Sequence, residues 1–405
     1  MSESISNPAA TGSLLQWLPE LSKQAYWHPD QIKHKPAPDG LKHEQWWPLV
    51  KCLRIARWRA LPLPGLGTGR FGVVMTDEML PILHQFDIRV TRPDPSQPGE
   101  ARERWQTQRI SAMMQEAVAS VQLSGRPLSW EHCMEMLRQA RQAVHSTDQL
   151  VWNLHRLLKT LPELSHEAVT PARIRMACQK LLERTGVPEP RMDETSLEPV
   201  CAFAEASQKE GDPFLHPLLR AVIAGWWISR LGDLGDVAGI LGRFLMHWTG
   251  VRLGYGVLAW TAPSKVLVAD PQDYLAASGK VESDEGDLTY FILPVLHALK
   301  AALAQAGKAA QTAEQELLAG RHSWNRFGFL NSRQEDLVLR AMDRPEEAFT
   351  IESHREAHDL AYATARSDLL RMEQIGLMRK RQTGKSYVFE PAPDWKEKLR
   401  RLGEG

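Results

Sequence analysis

The sequence predicts a mainly α-helical chain that ends in a small module of three helices and a strand hairpin. Apolar residues recur at helical spacing through most of the 405 residues, and strand signals are confined to "FGVVM" and to "LMRKRQTGKSYVF". From Asn331 onward the long helices give way to short ones separated by turn residues.

Taken in order, "SLLQWLPELSKQAYW" reads as a short helix and "HPDQIKHKPAPDG" as a linker rich in breakers. "LKHEQWWPLVKCLRIARWRAL" resumes helical periodicity and stops at "PLPGLGTGRFG"; "FGVVMTDEMLPILHQFDIRV" then gives a short strand or loop and a helix. Residues 101–186 hold amphipathic helices broken at "SGRPLS", "HSTD" and "PELSHEAVTP", and "VPEPRMDETSL" is a loop. "LEPVCAFAEASQ" and "PFLHPLLRAVIAGWWISRL" are helices, the second apolar on nearly every side and therefore central. After "LGDLGDVAGILGR" the pattern is again helical, and "LTYFILPVLHALKAALAQAGKAAQTAEQELLAG" reads as one long helix with a break suggested at Gly307. "NSRQEDLVLRAM", "TIESHREAH" (with Thr350 as N-cap) and "YATARSDLLRMEQIG" precede the hairpin. Three helices plus a hairpin is the winged variant of the helix-turn-helix.

Composition narrows the function classes. Apolar residues make up 43% and charged residues 24%, ordinary for a soluble globular protein. Lys plus Arg equals Asp plus Glu at 49 each, so binding to nucleic acid has to come from a local patch. Cys52, Cys133, Cys178 and Cys201 are widely spaced and form no CxxC pair, which predicts reduced thiols and no metal site. No run reaches 18 consecutive apolar residues and "MSESISNPAATG" has no leader pattern, so the expectation is a cytoplasmic protein without a membrane partner. The 14 tryptophans fall mostly among Leu and Ala at helical spacing, as core residues do.

Two motifs read as structure. "GTGRFG" (67–72) matches GxGxxG but follows "LPLPGL" instead of a strand, so it is read as a surface loop. His354 and His358 stand at i, i+4, yet Arg-Glu-Ala lies between them and no third ligand is evident, so they are read as two surface histidines. A stronger signal is the run from Arg366 to Lys385, with six basic residues against two acids, Asp368 and Glu373. In a winged helix, Thr364, Arg366, Ser367 and Arg371 on the third helix would face base edges. Arg379, Lys380, Arg381 and Lys385 on the hairpin would face phosphates.

Several segments, in order, carry a family resemblance: "HPDQIKHKPAPDGLKHEQWW", "EAVASVQLSG" (116–125), "FLHPLLRAVIAGWWISRLGDLGDVAGILGR", "EGDLTYFIL" and "LNSRQ…TIESHREAHDLAYATARSDLL…GLM". From about residue 27 to the C-terminus the chain resembles a large bacterial branch of the Fic (Fido) adenylyltransferases. That resemblance implies a Fido-type helical core followed by a winged helix-turn-helix. It also implies a motif HPFxDGNGRxxR, whose His is a general base, whose Gly-Asn-Gly turn and arginines hold phosphates and whose acid holds magnesium. Laid on this motif, Gly232 replaces the His, Asp233 the Pro and Leu234 the Phe. Val237 replaces a turn Gly, Ala238 the Asn and Ile240 the first Arg, while Asp236, Gly239 and Arg243 match. The family's inhibitory Glu is Ser124 here, four residues after Ser120. The region 181–200 also looks short of the target-docking flap.

The resemblance with these departures predicts a pseudoenzyme with no cofactor and no metal. The remaining Asp236 is expected to cap the helix starting near Val237, and Trp226 and Trp227 are candidates to fill the old pocket. The predicted plan is an N-terminal helical region (1–100), a degenerate Fido core (101–320), a winged helix (324–392) and a tail (393–405). The expected role is DNA binding as a transcriptional regulator, with a homodimer and a protein partner as further expectations. One rival is a protein-interaction or antitoxin-like scaffold; a second is a residual AMP transferase using Asp233 or Asp236 as base.

Overall fold

The computed structural model describes residues 21, 25–38, 41–63, 71–88, 99–206, 214–323, 330–343, 347–383 and 386–403. The chain is mainly α, as predicted. It opens with one turn, α1 (Pro29–Ile32), in the stretch read as a linker. A capping box forms it: the His28 ring accepts from the Asp30 amide at 3.3 Å and the Gln31 side chain accepts from the His28 amide at 2.9 Å.

Helix α2 (His43–Ala56) stops before its apolar periodicity does. The reason is that Trp58–Ala60 pairs as strand β1 with β2 (Gly72–Val74), Trp58 opposite Val74 and Ala60 opposite Gly72. A Cβ on Gly72 would stand 2.2 Å from the Trp58 ring, so the last glycine of "GTGRFG" lets that ring lie across the strand. Residues 67–70 of the motif fall outside the described residues.

Helices α3 (Met79–Asp87), α4 (Gly99–Leu123), α5 (Trp130–Arg138), α6 (Ser146–Lys159), α7 (Leu161–Leu164), α8 (Pro171–Leu182) and α9 (Glu194–Glu205) follow. Their starts are where polar caps fall in the sequence: Ser129, Thr170 and Asp193 each accept a hydrogen bond from a first-turn amide. They surround the central pair α10 (Pro217–Ser229) and α11 (Ala238–Arg252), in which every residue from Leu218 to Ile228 and from Ile240 to Val251 is buried. Two glycines set that crossing: a Cβ on Gly225 would lie 2.6 Å from the Gly242 carbonyl oxygen, and one on Gly242 would lie 2.4 Å from that of Gly225.

Helices α12 (Pro263–Ala269), α13 (Gln272–Ser283) and α14 (Thr289–Ser323) complete this part. α14 runs unbroken through Gly307. Its first part, Thr289–Lys308, is long and apolar enough by length and composition to cross a membrane, but half of that window is buried in the protein.

Beyond it lie α15 (Ser332–Asp343), β3 (Phe349–Thr350), α16 (Ile351–His358), α17 (Tyr362–Gln374), β4 (Met378–Thr383), β5 (Ser386–Pro391) and α18 (Trp395–Gly403). The strands form an antiparallel sheet in the order β3-β5-β4, with Arg379 opposite Glu390 and Lys380 opposite Phe389. The stretch read as a tail holds α18, whose Trp395 and Leu399 are buried with Leu337, Phe349, Leu369 and Phe389 in an apolar cluster separate from the one spanning Leu61–Leu303.

Candidate functional site

The turn in "LGDLGDVAGILGR" is a 3-10 segment, Gly232–Val237, with Gly235 at φ 52, ψ −141, a conformation that glycine holds without a Cβ clash. α11 starts at Ala238 with Val237 in the N-cap position and no side-chain cap. The capping role expected of Asp236 therefore does not hold as drawn: the helix begins one residue later, and a valine precedes it. Of Asp233 and Asp236 only the backbone is described. Ile240 is fully buried.

Arg243 is buried, and its guanidinium binds hydroxyls and a carbonyl. Nε donates to Ser120 Oγ at 2.7 Å, Nη2 to the Ser120 carbonyl at 2.5 Å and to Ser124 Oγ at 2.8 Å, and Nη1 to Tyr274 OH at 3.1 Å. None of these partners carries a negative charge. The space beside Arg243, between Gly239, Gly225 and Tyr274, is a cavity of about 20 Å³. That is room for one water, against roughly 300 Å³ or more for a small-molecule pocket. Trp226 forms part of its wall, with its ring 5.1 Å from Phe71 and 6.4 Å from Phe291. Trp227 turns elsewhere and packs on Phe203 at 6.0 Å, so only one of the two tryptophans fills the site.

The neutral surroundings of buried Arg243 make a prediction. Ser124→Glu sets a carboxylate beside Arg243 and is expected to stabilise the fold by about 1 kcal/mol, raising the melting temperature by roughly 2–4 °C. A melting temperature that stays level or falls shows that Arg243 is already satisfied.

Next to this site is a buried polar cluster that sequence reasoning missed. Glu116 accepts from the Ser264 amide at 2.9 Å and from the Ser264 hydroxyl, and its Oε1 lies 3.3 Å from His247 Nε2. His247 Nδ1 lies 2.7 Å from the Leu258 carbonyl oxygen. The cluster joins α4, α11, the 3-10 segment Gly256–Trp260 and the start of α12.

In the C-terminal part, α17 buries Ala365, Asp368, Leu369 and Met372 and exposes Tyr362, Ala363, Arg366, Ser367 and Arg371; Thr364 is half-buried. Its N-cap, Ala361, provides no side-chain acceptor, so the first-turn amides are not capped by a side chain. Asp368, counted from sequence against the basic run, faces inward instead. It accepts from Asn331 Nδ2 at 3.0 Å, Arg333 Nε at 2.7 Å, Gln334 Nε2 at 3.3 Å and His354 Nε2 at 3.3 Å. On the hairpin, Arg381 and Arg379 both pair with Glu390, at 2.7 and 3.6 Å, and Lys380 lies over the Tyr387 ring at 4.1 Å. Lys385 falls outside the described residues.

The two histidines are not on the surface. His354 is 1% exposed and His358, its ring 4.9 Å away, is paired with Asp336 at 3.2 Å, because the apolar face of α16 carries them inward. Among the described residues no group of His, Cys, Asp and Glu is placed to hold a metal.

No protein-family profile and no curated protein matches the chain. Among solved structures it is similar to a Fic family protein from Desulfovibrio desulfuricans G20, at 15% identity over 78% of this chain and 95% of that one, with a TM-score of 0.43. It is also similar to Fic-1 from C. elegans, at 16% identity over 75% of this chain and 87% of that one, with a TM-score of 0.49.

Proposed function

We propose that the chain is a Fido-type core that has lost nucleotide transfer and acts, through a C-terminal winged helix, as a cytoplasmic DNA-binding regulator. Loss of transfer is supported by Gly232 at the base position, Ile240 at the first clamp and the closing of the space beside Arg243 to about 20 Å³. Loss of a general base alone lowers a rate roughly 10²–10⁴-fold, and a closed pocket removes nucleotide binding as well. The core then serves as scaffold and as the surface for pairing with a second copy or a protein partner.

The observation that carries the DNA reading is the open face of α17. Arg366, Ser367 and Arg371 are exposed on one side of the helix, and the acid within their run, Asp368, is turned into the core. In a major groove that face would meet base edges, while the uncapped amides at its N-terminus would meet phosphate. The hairpin would add Lys380 and the two arginines, whose field Glu390 reduces.

Anisotropy of the full chain on its own upstream DNA, across a salt series, tests this. Specific binding that survives competitor DNA is expected, and Arg366→Ala is expected to weaken it by about 1–3 kcal/mol. The interaction-scaffold reading is favoured by one observation, the neutralisation of Arg379 and Arg381 by Glu390. It prevails if binding is weak, independent of sequence and lost evenly with salt. Transfer of labelled nucleotide to any protein, abolished by Asp236→Ala, would overturn the pseudoenzyme assignment.

A further inference from the structure

The turn ahead of the DNA-reading helix is held by the core. Asp359 ends α16 in the left-handed conformation, at φ 51, ψ 52. Its Oδ2 lies 3.4 Å from Arg109 Nη2 on α4, and its Oδ1 lies 3.5 Å from Lys159 Nζ at the end of α6. α16 itself packs on α4 and α5. His155, buried one turn before Lys159, adds no charge, since burial pushes its pKa down to about 3. Glu356, held above the usual carboxylate range by burial and Glu352, lies in the field of Lys159 as well as of Arg355, which is 3.9 Å away. The contact therefore sets the Asp359 carboxylate between two cations, with Glu356 also in the field of Lys159, three residues before the first residue of α17.

We propose that Asp359, Arg109 and Lys159 form a latch that holds the DNA-competent pose, with Arg109 and Lys159 as positioning residues. This rests on the DNA reading above. Two observations give the direction. The start of α17 is uncovered while the latch is closed, with Tyr362 55% exposed and Ala363 and Arg366 exposed beside it, so the core does not block the groove-facing side. Opening the latch would also leave the Asp359 carboxylate unbalanced at the end of the module that must approach phosphate, where like charges repel. The core thereby both orients α17 and masks an unfavourable charge.

Four full-length proteins test this on one DNA duplex across a salt series: wild type, Arg109→Ala/Lys159→Ala, Asp359→Asn, and the triple variant. Thermal melts confirm that each is folded. The double variant is expected to bind roughly two- to fivefold more weakly than wild type. The triple variant, with the Asp359 carboxylate removed, is expected to return to the affinity of Asp359→Asn. If the triple variant stays as weak as the double and the salt slope falls by about 0.9 for each cation removed, Arg109 and Lys159 touch phosphate directly and the latch is wrong. Equal binding by the double variant and wild type overturns it, as does tighter binding, which would make the contact a block. Wild type that binds no DNA in any salt defeats the DNA reading itself, and the latch with it.

Discussion

Glu116→Ala is expected to destabilise the core by about 3–5 kcal/mol, seen as a lower urea midpoint at unchanged slope. The side chain is 2% exposed, and two residues from distant parts of the chain, Ser264 and His247, converge on it. Removing the carboxylate strands the Ser264 amide and hydroxyl and leaves His247 without the group that faces its Nε2. Burial by itself would push the Glu116 carboxyl up, yet His247 and Ser264 outweigh it and hold it below the usual carboxylate range. Because the folded value lies below the unfolded one, this stabilisation is present above about pH 4.3 and is lost as pH falls through the folded value. The gap between wild type and variant should therefore close in acid. Glu116→Gln, which keeps an acceptor and the volume, should lose less than alanine. A midpoint unchanged by alanine would show that the cluster is not under load.

The helical plan was legible because its signals are local. Polar caps such as Ser129 and Thr170 sit directly before the helices they start. What was not legible depends on partners far along the chain. β1 is three residues long and inherits the tail of a helical pattern, so only its pairing with β2 reveals it. Glu116 and His247 are 131 positions apart, and nothing near either one announces the other. His354 and His358 show the limit of spacing: an i, i+4 pair reads alike on the inner and outer face of a helix. Asp368 had a signal that was available. It falls within the stripe Ala365, Leu369, Met372, which points inward, whereas Arg366 and Arg371 fall outside it.

Asp368→Ala is expected to unfold the C-terminal part well before the core, at a cost of about 3 kcal/mol. Asn331, Arg333, Gln334 and His354 all donate to this carboxylate, so it fixes α17 to the start of α15 and to α16. Burial opposes its charge, but His354, Arg333 and Asn331 prevail and hold the carboxyl far below the usual range. Burial holds His354 below the usual imidazole value, and its Nδ1 has no partner among the described residues, so a second ring proton would be buried without an acceptor. Both shifts have the same sign in their effect on stability. The contribution of His354 is full above about pH 6.5 and declines as pH falls below it, and that of Asp368 declines only below about pH 4. Wild-type amides in 332–403 should therefore exchange faster at pH 5.5 than at pH 7.5, after correction for intrinsic rates. At pH 7.5 the variant should raise exchange in 332–403 by roughly a hundredfold, with the core unchanged, and on the proposed DNA reading it should also abolish specific binding. Equal protection in the two proteins would show that the sheet and apolar cluster hold α17 without Asp368.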